Sequence, residues 1–212
     1  MILTIMGLRG NLIIGLTGGI GCGKSTAAGL FAEHGFVRLD ADQVVRDELL
    51  TEAEVLSALR EKFGAAIFTV EGQVDRAALA TVVFTDPVRL RWLEELLHPR
   101  LYARWRALFA ASHGRKFIVE VPLLFEQGME NWFDFTICIT SECATQIRRL
   151  ESRGLPPKLA RQRLAKQLPL ARKCELADFV ILNDGSLEFL REQINLLVQR
   201  FLQHQPASPA SL

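Results

Sequence analysis

One glycine-rich segment constrains the fold of this chain more than any other feature. A short apolar stretch enters the run Gly18-x-x-x-x-Gly23-Lys24-Ser25, and a helical pattern follows it. A strand, a glycine-rich turn and a helix in this order form a P-loop, where backbone N–H groups and a helix N-terminus hold phosphates. The alternative is an ordinary glycine-rich turn. Because pattern, context and apolar flank all agree, we expect a loop that binds a nucleoside triphosphate.

The same pattern predicts a role for each part of the loop. Backbone N–H groups should face the β-phosphate, Lys24 should bridge the β- and γ-phosphates, and the Ser25 hydroxyl should bind Mg²⁺. The expected nucleotide-binding residues of the loop are Gly19, Ile20, Gly21, Cys22, Gly23, Lys24, Ser25 and Thr26.

Candidate strands alternate with helical patterns along the chain. They are rich in apolar, aromatic and β-branched residues and cover Leu12–Leu16, Phe36–Asp40, Lys116–Val121, Phe133–Thr140 and Asp178–Asn183. Such alternation predicts a parallel sheet with helices on both faces. The expected fold class is therefore α/β, with a five-stranded parallel sheet that follows the P-loop topology and is flanked by helices.

Two stretches are longer than a strand-to-helix connection needs. Residues 42–115 show about four helical patterns and no convincing strand, which predicts a helical insertion between core segments 12–41 and 116–203. Residues 142–175 are helical and basic and predict a lid that closes over an anionic ligand. All of these segments are expected to belong to a single domain.

Composition excludes several classes of protein. A formal charge of +1 gives no general attraction to nucleic acid or to an acidic membrane, so neither is an expected partner. The four cysteines lack C-x-x-C spacing, which indicates reduced thiols and a cytoplasmic protein. The residues before Leu12 lack the pattern of a secretory signal and predict a short extension or a misplaced start codon. Residues 204–212 predict a flexible tail.

A P-loop alone does not say where the phosphoryl group goes. The GTPase motifs Asp-x-x-Gly and Asn-Lys-x-Asp occur nowhere in the chain, and the nearest candidate for the acidic residue of an ATPase motor is Glu120. A small-molecule kinase needs a base, a substrate domain and mobile arginines, and this chain has candidates for all three. Outside enzymes, the alternative is a nucleotide-gated binding module, which the missing switch motifs disfavour.

Two aspartates, Asp40 and Asp42, follow the second candidate strand. They lie at the carboxyl edge of the predicted sheet, where open α/β sheets bind ligands. If the strand continues, their spacing puts both side chains on one side, and Asp42 is the candidate base. The alternative is that Asp40 or Asp42 caps the next helix.

The arginine candidates lie in the predicted lid. Gln146, Arg149 and Arg153 recur with helical spacing, which predicts one helical face, whereas Arg148 points elsewhere. Beside a P-loop, this face could neutralise the transferring phosphoryl group. The alternative is a solvated basic face.

Six motifs in order resemble one known family. They are GLTGGIGCGKST, LDADQVVR, LHPRL, VEVPLLFE, Q-x-x-R-L-x-x-R-G-L and AD-x-V-I-x-N-D-G, and they extend from about Leu12 to Phe201. Together they resemble the dephospho-CoA kinases. The resemblance implies a P-loop kinase fold, in a single kinase domain with a helical substrate-binding insertion and a helical lid. The resemblance implies transfer of phosphate from ATP to the ribose 3′-hydroxyl of dephospho-CoA, which gives CoA in the last step of its synthesis. The alternative is another P-loop kinase, acting on a nucleoside, nucleotide or sugar acid.

The resemblance also implies roles for individual residues. Asp42 resembles the family's base, Lys24 its phosphate-bridging lysine and Arg149 its lid arginine, so these are the expected catalytic residues. Arg149 and Asn183 join the expected ATP-binding residues, and the segment Val121–Glu126, called the acceptor segment below, resembles one that lines the acceptor site. The expected substrate-binding residues are Thr17, Asp42, Arg76, His98, Leu124 and Arg153.

Some features depart from the family pattern or allow a purely structural interpretation. Cys22 stands where many relatives carry serine or alanine, and Pro156 replaces a common helix-capping serine. His98 could cap one helix with Pro99 as the first residue of the next. The acceptor segment could be ordinary core.

Overall fold

The computed structural model describes residues 10–203. The strands are β1 (Leu12–Gly18), β2 (Phe36–Asp40), β3 (Lys116–Glu120), β4 (Phe135–Thr140) and β5 (Phe179–Leu182). The helices are α1 (Lys24–Glu33), α2 (Ala41–Asp47), α3 (Ala53–Phe63), α4 (Arg76–Phe84), α5 (Pro87–Ala111), α6 (Cys143–Glu151), α7 (Pro157–Ala165), α8 (Leu170–Leu176) and α9 (Leu187–Gln203). The predicted tail and most of the predicted N-terminal extension lie outside the described residues.

The strands form one sheet in the order β2-β3-β1-β4-β5. β1 pairs in parallel with β3 and β4, and β4 pairs in parallel with β5. Every residue of β1 is buried, as expected for the central strand of a sheet covered on both faces. The predicted α/β fold with a five-stranded sheet is confirmed, and the glycine-rich loop begins at the carboxyl end of its central strand.

Helix α1 follows the loop and packs an apolar face against the sheet. Its buried residues Ala27, Ala28, Leu30 and Phe31 join a core cluster with apolar residues of β1, β3, β4 and α9. The helix ends where the sequence predicted, because Gly35 has a left-handed backbone (φ +79°) and its N–H bonds back to Ala32 O at 2.9 Å. Core packing and this C-terminal cap hold α1 in place, and its N-terminus directly follows the glycine-rich loop.

Gly18 ends β1 where no side chain fits. Its φ is +143°, and a Cβ atom added there would lie 2.2 Å from Ile139 O in the paired strand β4. We expect Gly18→Ala to lower the free energy of unfolding by about 1–3 kcal/mol, measured by chemical denaturation, because the backbone of β4 has to move. Gly29→Ala is the control: Gly29 lies within α1 with nothing within 4 Å of an added Cβ. Equal destabilisation of both variants would contradict this packing.

The chain divides into two compact units. Among the described residues, one unit joins 10–39 with 112–203 and holds the sheet, and the other spans Asp40–Ala111 and holds helices α2–α5. Helix α5 continues through Pro99, so the alternative of a new helix starting there is wrong. Arg100 Nη1 donates to Leu96 O at 2.8 Å, in the turn that precedes the proline. None of the helices within residues 10–203 is long and apolar enough to cross a membrane.

Candidate active site

The loop after β1 forms a backbone cradle. Lys24 lies in the first turn of α1, and its Nζ donates to Gly18 O and Gly19 O at 3.1 Å each. Gly23 has a left-handed backbone (φ +90°), and an added Cβ there would lie 2.3 Å from Asn183 Nδ2. Only glycine therefore fits this position. The predicted lysine and helix N-terminus are both at the loop, as a phosphate site requires.

A buried carboxylate faces the loop serine. Ser25 Oγ donates to Glu120 Oε2 at 3.0 Å, and Arg38 Nε lies 2.6 Å from Glu120 Oε1. Glu120 is almost fully buried at the end of β3, next to β1. The sequence analysis considers Glu120 only as the acidic residue of an ATPase motor. It does not predict that the Glu120 carboxylate contacts the P-loop serine. Its position at the end of an apolar strand was the available signal.

The Ser25–Glu120 pair suits a magnesium ion. Mg²⁺ prefers oxygen ligands and is usually held by one or two protein oxygens together with phosphates and water. Within residues 10–203, no three acidic, histidine or cysteine side chains group into a ready metal site. Any ion here would therefore take its remaining ligands from the nucleotide phosphates and water.

Arg149 and Asn183 converge on the loop from two other elements. Arg149 Nη1 donates to Gly21 O at 3.4 Å and to Ser141 Oγ at 3.1 Å, and Nη2 donates to Asn183 O at 2.9 Å. Asn183 Nδ2 donates to Cys22 O at 2.8 Å. None of the ion pairs among the described residues involves Arg149. Within residues 10–203, its charge is therefore held at the loop by hydrogen bonds and not by an ion pair.

The predicted basic face of the lid is only partly observed. Arg148 is exposed and Arg149 half-buried, as their different faces predicted. Helix α6 ends at Glu151, however, so the expectation that Arg153 extends the helical face is wrong. Arg153 N donates to Leu150 O at 3.1 Å in a turn that closes at Gly154 (φ +82°). Arg153 as a substrate-binding residue stays a prediction.

Cys22 contributes to the loop mainly through its backbone. Its side chain is completely buried, its N–H bonds to Gly19 O at 3.2 Å and its carbonyl accepts from Asn183. Burial raises the pKa of the Cys22 thiol, although nearby Lys24 opposes the shift. The group is therefore a neutral thiol at neutral pH and not a nucleophile.

We expect Cys22→Ser to keep kcat within about twofold of the parent, because no contact to the reacting phosphates is lost. Steady-state kinetics with saturating substrates would measure this. A collapse of kcat with an unchanged melting temperature would show that the thiol itself takes part in nucleotide binding.

Two predicted substrate residues in the sheet unit are completely buried. Thr17 Oγ1 donates to Pro122 O at 3.3 Å, and Leu124 packs beneath Gly15, where its Cδ1 would lie 2.8 Å from an added Cβ. The side chain of Leu124 is thus a core group, as the structural interpretation of the acceptor segment allowed. Whether either residue touches substrate stays a prediction.

Three of the predicted substrate residues, Asp42, Arg76 and His98, belong to the unit that spans Asp40–Ala111. Strand β2 ends at Asp40, so the expectation that both aspartates lie on one side of a continuing strand is wrong. Asp40 caps α2, because its Oδ1 accepts from Gln43 N at 3.1 Å. Asp42 lies in the first turn of α2. The helix-cap alternative therefore applies to Asp40.

Arg76 and His98 occupy different helices of that unit. Arg76 is the first residue of α4 and is exposed. His98 lies in α5 with its ring 5.7 Å from that of Tyr102, and burial lowers its pKa. The imidazole is therefore favoured as the neutral form, which can donate or accept a hydrogen bond.

The family model of dephospho-CoA kinase matches residues 12–188. The chain belongs to the dephospho-CoA kinase family. A dephospho-CoA kinase from Corynebacterium glutamicum is 38% identical over 195 residues, which are 90% of this chain and 98% of the relative. One from Synechococcus elongatus is 37% identical over 190 residues, 88% of this chain and 91% of the relative.

Solved structures agree with the observed fold. A crystal structure from Thermus thermophilus superposes with a TM-score of 0.79 at 33% identity and covers 90% of this chain and 97% of that chain. A dephospho-CoA kinase from Campylobacter jejuni gives a TM-score of 0.58 at 24% identity, covering 91% and 97%, which supports the fold. The family model and the two relatives confirm the dephospho-CoA kinase resemblance and the prediction of a kinase, against the binding-module alternative.

Proposed function

We propose that this chain transfers a phosphoryl group from ATP to the ribose 3′-hydroxyl of dephospho-CoA, giving CoA in the final step of its biosynthesis. One observation carries the proposal: in a chain of the dephospho-CoA kinase family, an intact P-loop has a lid arginine held against it. Arg149 lies at hydrogen-bond distance from the loop carbonyl of Gly21. A kinase needs this combination, because the transferring phosphoryl group must be both held and neutralised.

The proposed donor side lies in the sheet unit. The loop backbone from Gly19 to Thr26 and Lys24 Nζ bind the phosphates of ATP, while Asn183 fixes the loop through Cys22 O. Ser25, with Glu120 across from it, would hold Mg²⁺. When bound, that ion neutralises charge on the β- and γ-phosphates. Lys24 then moves from the loop carbonyls to the phosphates.

The proposed acceptor side uses Asp42 as the base that takes the proton of the 3′-hydroxyl. Asp40 is occupied as a helix cap, which favours Asp42 over its neighbour. Arg76, a cation, suits the phosphates of dephospho-CoA, and neutral His98 suits a hydrogen bond. Thr17, Leu124 and Arg153 complete the proposed substrate-binding residues.

The proposal also covers location and partners. The partner is a small molecule, and a charge of +1 gives no reason to add nucleic acid or a membrane surface. All four cysteines are free thiols, which suits the reducing cytoplasm.

An acceptor panel tests this function. The purified chain is incubated with ATP and Mg²⁺ and with dephospho-CoA, adenosine, shikimate or gluconate in separate reactions, and products are identified by mass. We expect a phosphoryl gain only on dephospho-CoA. Lys24→Met, prepared identically, is the control for contaminating kinases and should give no product. Phosphorylation of another acceptor instead would support the alternative small-molecule kinase and contradict the proposal.

A further inference from the structure

A fully buried lysine lies behind the acceptor segment. Lys173, in α8, has no exposed side-chain surface, although lysine is among the residues least often buried completely. Its Nζ donates to Pro122 O at 2.9 Å and lies 2.8 Å from Glu126 Oε1. Since a buried charge is costly unless it is paired and hydrogen-bonded, these contacts determine where the surrounding segments lie.

Both partners of Lys173 belong to the acceptor segment, and each has a second contact. Pro122 O also accepts from Thr17 Oγ1 at 3.3 Å, at the end of β1. Glu126 Oε1 also accepts from Leu168 N at 3.0 Å, in the lid between α7 and α8. The ammonium therefore connects the acceptor segment to the central strand at one end and to the lid at the other.

The lid end of this connection continues to the P-loop. Gln167, next to Leu168, accepts from Ile20 N through its Oε1 at 3.1 Å. The contacts thus form one chain from the loop that holds phosphate, through the lid, to the segment proposed to line the acceptor site. Lys173 and Glu126 form its central ion pair, and the side chain of Glu126 is only 21% exposed.

We propose that Lys173 is a positioning residue for the kinase reaction, whose ion pair with Glu126 fixes the acceptor segment relative to the P-loop and the lid. This inference rests on the proposed function. A misplacement of about 1 Å at a reacting centre can cost about 10²-fold in rate, so a rigid connection between the donor and acceptor segments has kinetic consequences. Lysine suits the position because its three donors can satisfy a carbonyl and a carboxylate together.

Lys173→Met tests the proposal by keeping the length of the side chain and removing its donors. We expect the KM for dephospho-CoA to rise about tenfold and kcat to fall about tenfold, with the KM for ATP changed less than about threefold. Lys116→Met is the matched control. Lys116 Nζ also donates to a main-chain carbonyl, His34 O at 3.1 Å, but lies at the start of β3, and its loss should leave all constants unchanged.

Variants of Glu126 keep the test decisive if Lys173→Met does not fold. Glu126→Gln retains an oxygen that both donors can reach, whereas Glu126→Ala removes it, so the acceptor KM should rise more in the alanine variant. Because the two residues share one ion pair, the effects of Lys173→Met and Glu126→Ala should be less than additive in the double variant. Equal effects of the two Glu126 substitutions, or full additivity, would contradict the ion-pair role.

Hydrogen exchange gives a readout that does not depend on activity. In the full chain without substrate, peptides containing Leu168 should exchange about tenfold faster in Lys173→Met than in the parent or in Lys116→Met. If the parent protein does not phosphorylate dephospho-CoA, the proposed function is wrong. The hydrogen-exchange measurement still tests whether the Lys173–Glu126 ion pair holds the lid at Leu168. The positioning role is overturned if Lys173→Met lowers only the melting temperature and leaves kcat, both KM values and Leu168 exchange within about twofold of the parent.

Discussion

Asp42→Asn is expected to lower kcat by roughly 10²–10⁴-fold, the usual cost of losing a general base. Asparagine keeps the shape of the side chain but has no basic oxygen to take the proton of the 3′-hydroxyl. The KM for ATP should change little, because the loop that holds the phosphates is untouched. Steady-state kinetics with ATP and dephospho-CoA each varied in turn would measure both constants.

Asp40→Asn is the matched control for this variant. Asp40 Oδ1 accepts from Gln43 N, and asparagine caps helices about as well as aspartate, so kcat should stay within about threefold of the parent. If Asp40→Asn proves the damaging change and Asp42→Asn is mild, the assignment of the base must be reversed.

Arg149→Ala is expected to lower kcat by roughly 10²–10³-fold, comparable with the loss of one group that stabilises transition-state charge. The guanidinium is already held at the loop by Gly21 O, Ser141 Oγ and Asn183 O, so little reorganisation is needed before it meets the phosphates. Single-turnover kinetics with saturating substrates would separate this effect from product release.

Arg149→Lys separates charge from geometry. Lysine keeps the charge but cannot reproduce the planar fork that contacts three protein groups, so kcat should fall by about tenfold or more while ATP binding is largely kept. Arg148→Lys, on the exposed face of α6, should be nearly silent. Small and equal effects at both positions would mean that α6 carries an ordinary solvated face and that the loop neutralises the phosphoryl group alone.

Local sequence patterns were sufficient to predict the strands of the sheet, the glycine-rich loop and the first helix. The buried strand β1 is an apolar run in the sequence. Gly18 and Gly23 have positive φ angles, which favour glycine, and Gly35 ends α1 where the sequence predicts a left-handed residue. The apolar run and the positive φ values are features of short segments, although Gly18 and Gly23 also face distant residues, Ile139 and Asn183. A sequence pattern therefore captures them directly.

The errors arose where a helix began or ended without a strong signal. The spacing of Gln146, Arg149 and Arg153 predicts a lid helix that reaches Arg153, but α6 ends at Glu151. No glycine before Gly154 marks this earlier helix end. Similarly, β2 gives way to α2 at Ala41 because Asp40 serves as the cap, and the extended alternative has the same local composition. Element boundaries are decided by such small energy differences.

The contacts missed from sequence join distant parts of the chain. Ser25 meets Glu120, which lies 95 positions away, and Lys173 meets Pro122, 51 positions away. Periodicity gives no information on which polar residues a fold brings together. Glu120 was visible as an acid ending a strand, whereas the burial of Lys173 had no local signature.

The most direct test of the account is a single turnover with ATP labelled at the γ-phosphate, in the presence and absence of dephospho-CoA. We expect the label to appear on the ribose 3′-oxygen of CoA, stoichiometrically with ATP consumed, with the product position established by ³¹P NMR. Without the acceptor, ATP should remain intact. Release of the label as inorganic phosphate at the same rate with and without dephospho-CoA would contradict a kinase that acts on this hydroxyl.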